Sequence, residues 1–232
     1  MINFDNIISK ENRKYENPNP LFPMHPSRCV IFGPSSSGKT NDIFNAIQNS
    51  VFHKIFLYSK CLCEPKYEFL INIQKAKEEE LRKKGINESL IHFSTDIKDV
   101  MPLESLDKSY QHLYIFDDLV LEDKKTQEKY IGDLYIRSRK YNASVFYLSQ
   151  SYFKTPKIIR DNATFVVLKR LNDNRELKII HSIYASEINR EVFLKKYEES
   201  VSTYKQHGSF IIDNANKHKS LKLRANYTGI FC

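Results

Sequence analysis

The stretch Gly33-Pro34-Ser35-Ser36-Ser37-Gly38-Lys39-Thr40 follows directly on the apolar run Cys29-Val30-Ile31-Phe32. An unbroken apolar run of this kind reads as a buried strand. The G-x-x-x-x-G-K-[ST] pattern behind it reads as a phosphate-binding loop that opens a helix, so the chain is committed early to a strand–loop–helix unit. Glycines at both ends let the loop turn tightly enough for backbone N–H groups to surround phosphate oxygens. The helix, expected from about Thr40 to Asn49, points its positive end at the same anion. Gly33, Pro34, Ser35, Ser36, Ser37, Gly38, Lys39 and Thr40 are therefore the expected nucleotide-binding positions. Lys39 would reach the β- and γ-phosphates, and Thr40 would offer its hydroxyl to Mg2+.

Short strands and helices alternate from Arg28 onward, the order of an α/β domain with a central, mainly parallel sheet flanked by helices. Strands are expected over Lys54–Ser59, Leu90–Ser94, Gln111–Asp117, Ala143–Ser149 and Thr164–Lys169. A long charged helix is expected over Tyr67–Lys84, closed by Gly85, and a polar one from about Lys125 to Lys140. Thr155 and Pro156 read as the cap and first turn of a short helix. Helices over Asp173–Tyr184 and Glu187–Ser202 then precede strands over Ser209–Asp213 and Leu221–Ala225. That tail reads as a lid or an edge β-hairpin. Its lysine-bearing loop from Asn214 reads as a solvated tip, the alternative being a nucleic-acid contact. Residues 1–26, punctuated by Pro18, Pro20, Pro23 and Pro26, are expected as an extended N-terminal arm, and residues 27–232 as one domain.

Lysine and arginine number 36 against 28 acidic residues, a net charge of +8 that favours an anionic partner. No apolar run is long enough to span a membrane, and the N-terminus does not have the pattern of a signal peptide. A reducing compartment is expected, with Cys29, Cys61, Cys63 and Cys232 as thiols. Cys61 and Cys63 form a C-x-C without a matching Cys/His pair and read as an ordinary loop.

A phosphate loop needs a carboxylate-bearing strand beside it. Leu113-Tyr114-Ile115-Phe116-Asp117-Asp118 has that form, an apolar strand ending in two acids. Asp117 is the expected Mg2+ residue, acting through water, and Asp118 the expected base that polarises the attacking water. Taken alone, the pair would read as a solvated strand end; the phosphate loop tips the reading to metal and base. Gln150, at the tip of Ser144–Ser149, is placed to touch both γ-phosphate and water, or is simply a turn residue. The cluster Arg137-Ser138-Arg139-Lys140 either complements a helix dipole or supplies an arginine finger to a neighbour's site.

Together, G-P-S-S-S-G-K-T, I-F-D-D, R-K-Y-N-A-S-V-F-Y-L-S-Q-S-Y-F-K-T-P-K and I-R-D-N-A resemble the genome-packaging ATPases of poxviruses, other large DNA viruses, virophages and Polinton-type elements. These belong to the FtsK–HerA superfamily of P-loop DNA motors, and the resemblance covers about Arg28 to Lys169. It implies Mg2+-dependent ATP hydrolysis that drives double-stranded DNA into a capsid. Lys39, Thr40, Asp117, Asp118 and Gln150 would hold the roles just described. Arg139 falls on the family's arginine before the sensor strand and would act in trans, with Arg160 a second candidate. Lys140 stands where the family often has histidine. A ring of six subunits, capsid proteins as partners, non-specific phosphate contacts to DNA, and a place inside the host cell where virions assemble are further implications. Two other readings remain open on the residues: a nucleoside or nucleotide kinase, and a nucleotide-binding capsid-assembly protein that does not translocate DNA.

Overall fold

The computed structural model describes residues 19, 21–48, 50, 52–119, 122–203, 207–216, 218–227 and 229–230. Strands β1 (Arg28–Phe32), β2 (Lys54–Ser59), β3 (Ile91–Ser94), β4 (His112–Asp117), β5 (Ala143–Ser149), β6 (Phe165–Leu168), β7 (Phe210–Asp213), β8 (Leu223–Ala225) and β9 (Gly229–Ile230) form one sheet. Its order is β3-β2-β4-β5-β1-β6-β7-β8-β9. From β3 to β6 every pairing is parallel, and β5 sits between β1 and β4. Every residue of β4 and of β5 is buried, which is why their sequences run apolar without alternation: helices cover both faces.

On one face lie α1 (Lys39–Gln48) and α2 (Pro65–Lys83), packing Ile43, Ala46, Tyr67, Leu70 and Ile71 against Ile31, Leu57, Ile115 and Leu148. On the other lie α3 (Lys124–Gln127), α4 (Asp133–Arg137), α5 (Lys157–Asn162), α6 (Asn174–Tyr184) and α7 (Arg190–Val201). There Leu134, Ile159, Ile180 and Phe193 meet Val30, Phe116, Tyr147 and Phe210. The α/β architecture is thus the expected one. The tail resolves the choice left by the sequence: β7, β8 and β9 pair antiparallel and extend the sheet from β6, so this segment is an edge and not a lid. The strand β9 was not expected. Among the described residues no helix is long and apolar enough to cross a membrane.

Two local expectations change. The single helix expected over Lys125–Lys140 is segmented: α3, a π-helical turn over Glu128–Gly132, α4, and a 3-10 turn over Ser138–Tyr141. Gly132 lies where an added Cβ would come 3.2 Å from the Ile158 side chain, so α5 approaches closely at that turn. Thr155 does not cap α5, whose cap position is Pro156. Its hydroxyl instead donates to Ser149 Oγ at 2.8 Å and the Ser151 carbonyl at 3.0 Å, bracing the loop behind Gln150. Of the arm expected over 1–26, residues 1–18 and 20 lie outside the described residues. Phe22 stacks on Tyr227 at 5.1 Å, and His25 bonds to Asn142 Oδ1 at 3.0 Å and Ser144 Oγ at 2.8 Å.

Candidate nucleotide site

Parallel register brings the ends of three strands to one edge. Phe32 pairs with Ser149 and Phe116 with Tyr147, so the loop after β1, the acids ending β4 and the residue after β5 emerge together. They surround a cavity of about 510 Å³ lined by Ser35 to Asn41, Glu64, Lys66, Asp117, Asp118, Gln150 and His207. Among the expected site residues, Ser35, Ser36, Ser37, Gly38, Lys39, Thr40, Asp117, Asp118 and Gln150 all line it.

The loop has the backbone its glycines predict. Gly38 has φ +90° and Ser36 φ 60°. At Gly33 a Cβ would lie 2.5 Å from Lys169 Cβ and 2.7 Å from Ser37 Oγ, so no side chain fits there. Gly33 N donates to the Ser149 carbonyl at 3.1 Å, tying the loop to β5. Lys39 Nζ donates to the carbonyls of Gly33 and Pro34, each at 2.8 Å, and so lies across the loop. Burial holds its ammonium below the ordinary lysine range, and the charges of Asp117, Asp118 and Glu64 oppose that shift. Ser37 Oγ, in the same loop, is buried without a partner among the described residues, a polar atom suited to a phosphate oxygen.

Asp117 is buried, and burial raises its carboxyl above the usual range while the Tyr67 hydroxyl and the Lys39 charge pull it back. Tyr67 Oη donates to Asp117 Oδ2 at 2.5 Å and Asp118 N to Asp117 Oδ1 at 2.9 Å. Asp118 is exposed, with φ 53°, a conformation an L-residue adopts at a cost. Thr40 and Asp117 present a hydroxyl and a carboxylate oxygen. Mg2+ prefers such hard donors, usually one or two from protein with the rest from phosphates and water. The donor set therefore fits the cation.

Arg139 and Arg160 lie elsewhere. Arg139 precedes the N-terminus of β5, whereas Gln150 follows its C-terminus. Seven residues of strand separate the two ends by about 20 Å. Arg139 lines a second cavity, of about 630 Å³, with Arg28, Lys108 and Lys140, and among the described residues no carboxylate lines it. Arg160 is half-buried, its guanidinium 4.3 Å from the centre of the Tyr152 ring.

Several participants escaped the motif reading. Glu64, Lys66 and Tyr67 come from the start of α2, and His207 from the segment before β7. Lys169, expected only as a strand end, is buried beside Gly33 and pairs with Asp42 of α1 at 2.8 Å. Its ammonium also donates to the His207 carbonyl at 2.9 Å and Ser209 Oγ at 2.7 Å. A lysine closing an unbroken apolar run was the only hint of that buried ion.

A parallel sheet that turns a phosphate loop, paired acids and a strand-tip amide into one cavity is the arrangement of a P-loop NTPase fold. The chain belongs to the Poxvirus A32 protein family, whose model matches residues 19–215. This is the kind of family that the motifs resembled. Among solved structures, the chain is similar to the genome packaging NTPase B204 of Sulfolobus turreted icosahedral virus 2. With that protein's ATP-gammaS complex the TM-score is 0.55 at 15% identity, covering 90% of this chain and 100% of the other. With its AMPPCP complex the TM-score is 0.56 at 16% identity, covering 84% and 96%. At that identity the likeness establishes the fold. A search of curated proteins found no match.

Proposed function

We propose that this protein is an ATP-driven double-stranded DNA translocase that packages a viral genome into its capsid. The observation that carries the proposal is the convergence of Lys39, Asp117, Asp118 and Gln150 on one cavity at the mouth of a phosphate loop. Membership of the Poxvirus A32 family and the likeness to a packaging NTPase support it. A kinase would need an acceptor pocket and an arginine-bearing lid, whereas the paired Asp117 and Asp118 with the strand-tip Gln150 favour hydrolysis, and a non-hydrolysing assembly protein would have no use for the paired acids.

In this reading ATP lies with its phosphates in the loop; Thr40 and Asp117 would hold Mg2+, which when bound would supply neutralising charge to the phosphates. Lys39 leaves the Gly33 and Pro34 carbonyls for the phosphate oxygens. Asp118 orients the attacking water and accepts its proton, and Gln150 touches the γ-phosphate. Arg139 is too far from its own site along β5 to act there, so it serves a neighbour. A nucleotide site at one end of β5 and a basic cavity at the other suit head-to-tail contacts, which close into a ring when the rotation closes. A ring of six around DNA, docking on capsid proteins at the site of virion assembly inside the host cell, completes the proposal.

Steady-state ATP hydrolysis with and without double-stranded DNA, beside Lys39→Ala, tests it. Stimulation by DNA that weakens with salt and vanishes in the variant is expected. Hydrolysis indifferent to DNA at low salt would reject translocation, and phosphate transfer to a small acceptor would indicate a kinase.

A further inference from the structure

Tyr67 belongs to a stretch that reads as nothing more than a long charged helix. Its side chain is 0% exposed among the apolar residues between α2 and the sheet. The hydroxyl nevertheless reaches the end of β4 and donates to Asp117 Oδ2 at 2.5 Å. One buried hydroxyl thus holds a carboxylate that would carry the divalent cation in the function proposed above.

The position follows from the fold. Ser59, the last residue of β2, pairs with Asp117, so the chain leaving β2 turns over the end of β4. Pro65 starts α2 there, and its first turn carries Tyr67 above the carboxylate. Asp118 N holds the other carboxylate oxygen at 2.9 Å. Among the described residues Tyr67 is the only side chain that hydrogen-bonds to Asp117.

We propose that Tyr67 is a positioning residue, its hydroxyl locking the Asp117 carboxylate in one orientation for the cation. Rigidity has a chemical consequence. Mg2+ demands near-ideal octahedral geometry, whereas Ca2+ accepts loose and variable coordination. A locked carboxylate therefore favours the smaller ion, and freeing it erodes that preference. The inference rests on the nucleotide-site reading, and the test separates the two.

Tyr67→Phe keeps the ring and removes the hydroxyl. Mn2+ binding in the presence of ADP, followed by the loss of the free-ion electron paramagnetic resonance signal, is measured for wild type, Tyr67→Phe and Lys39→Ala. Fluorescent ADP binding in chelator reports the phosphate loop alone. Tyr67→Phe is expected to weaken Mn2+ binding about tenfold and to narrow the preference for Mg2+ over Ca2+, with chelator-state nucleotide affinity unchanged. Replacing Tyr67 by 4-aminophenylalanine, which keeps a donor at the same place, is expected to restore Mn2+ binding. Unchanged Mn2+ affinity in Tyr67→Phe, failure of the amino variant to restore it, or equal losses in both binding assays overturns the positioning role alone. A wild-type protein that takes up no Mn2+ with ADP overturns the nucleotide-site reading itself, and this inference with it.

Discussion

The Lys169 ammonium lies 2.8 Å from the Asp42 carboxylate with the two side chains only 2% and 3% exposed. Asp42 belongs to the helix that the phosphate loop opens, and Lys169 packs directly behind Gly33. Ser209 Oγ donates to Asp42 Oδ1 at 2.7 Å, which ties the start of β7 to the same pair. Breaking a buried pair strands the surviving charge, at about 3–5 kcal/mol. Lys169→Met is expected to lower unfolding free energy by that amount in urea, and to weaken nucleotide binding through α1. Lys169→Met combined with Asp42→Leu should recover much of the stability. A single variant that loses under ~1 kcal/mol would show that the pair is not holding the loop.

Gly33→Ala is expected to damage the loop through contact alone. The new methyl would meet Lys169 Cβ at 2.5 Å and Ser37 Oγ at 2.7 Å. Overpacking of this kind costs about 1–3 kcal/mol, and the shift of Ser37 should reduce nucleotide affinity as well. Thermal melting and fluorescent-nucleotide titration together measure both effects.

Asp118→Asn isolates the role of the carboxylate, because asparagine tolerates positive φ and Asp118 sits at φ 53°. Hydrolysis is expected to fall by about 10²–10⁴-fold while nucleotide affinity and melting temperature hold. Retained turnover would assign the water-orienting role to another group, Glu64 being a further carboxylate that lines the cavity.

Arg139→Ala and Lys39→Ala subunits should each be inactive alone, the first through loss of a finger worth about 10³-fold or more. Mixed rings should regain activity, because an intact Arg139 from the Lys39→Ala subunit then faces the intact phosphate loop of its neighbour. If mixing restores nothing while the rings still exchange subunits, Arg139 does not act in trans.

His25 makes acid stability a specific expectation. Burial lowers its pKa from 6.5 to about 4, despite hydrogen bonds to Asn142 that pull the other way. The folded state therefore prefers the neutral ring. Its contribution is complete above pH 6.5 and is lost as pH falls towards 4, about 3 kcal/mol in all. Denaturant titrations at pH 7.5 and pH 4 should show wild type losing that much more stability than His25→Gln. Equal losses would mean that His25 is not the titrating group.

Much of this arrangement was legible in the chain because its signals are local. The phosphate loop is contiguous, and the apolar runs that became β4 and β5 end in the acids and the glutamine that line the cavity. Residues brought in by strand order were not legible. Tyr67 looks like one aromatic in a charged helix until β2 is placed beside β4, and Lys169 looks like a strand end until β6 is placed beside β1. Local misreadings have local causes as well. Thr155 has the cap residue's chemistry, but its hydroxyl found Ser149 and the Ser151 carbonyl first.

By itself the sequence determined the α/β class, the phosphate loop and the chemistry available at the strand tips, because each depends on residue type and spacing along one short segment. Tertiary structure alone decided which buried groups brace that chemistry, and that Arg28 and Lys108 gather beside Arg139 in one basic cavity. The physical reason is that pairing order in a parallel sheet is a non-local choice. Only after it is made do Tyr67 and Asp117, 50 residues apart, share a hydrogen bond.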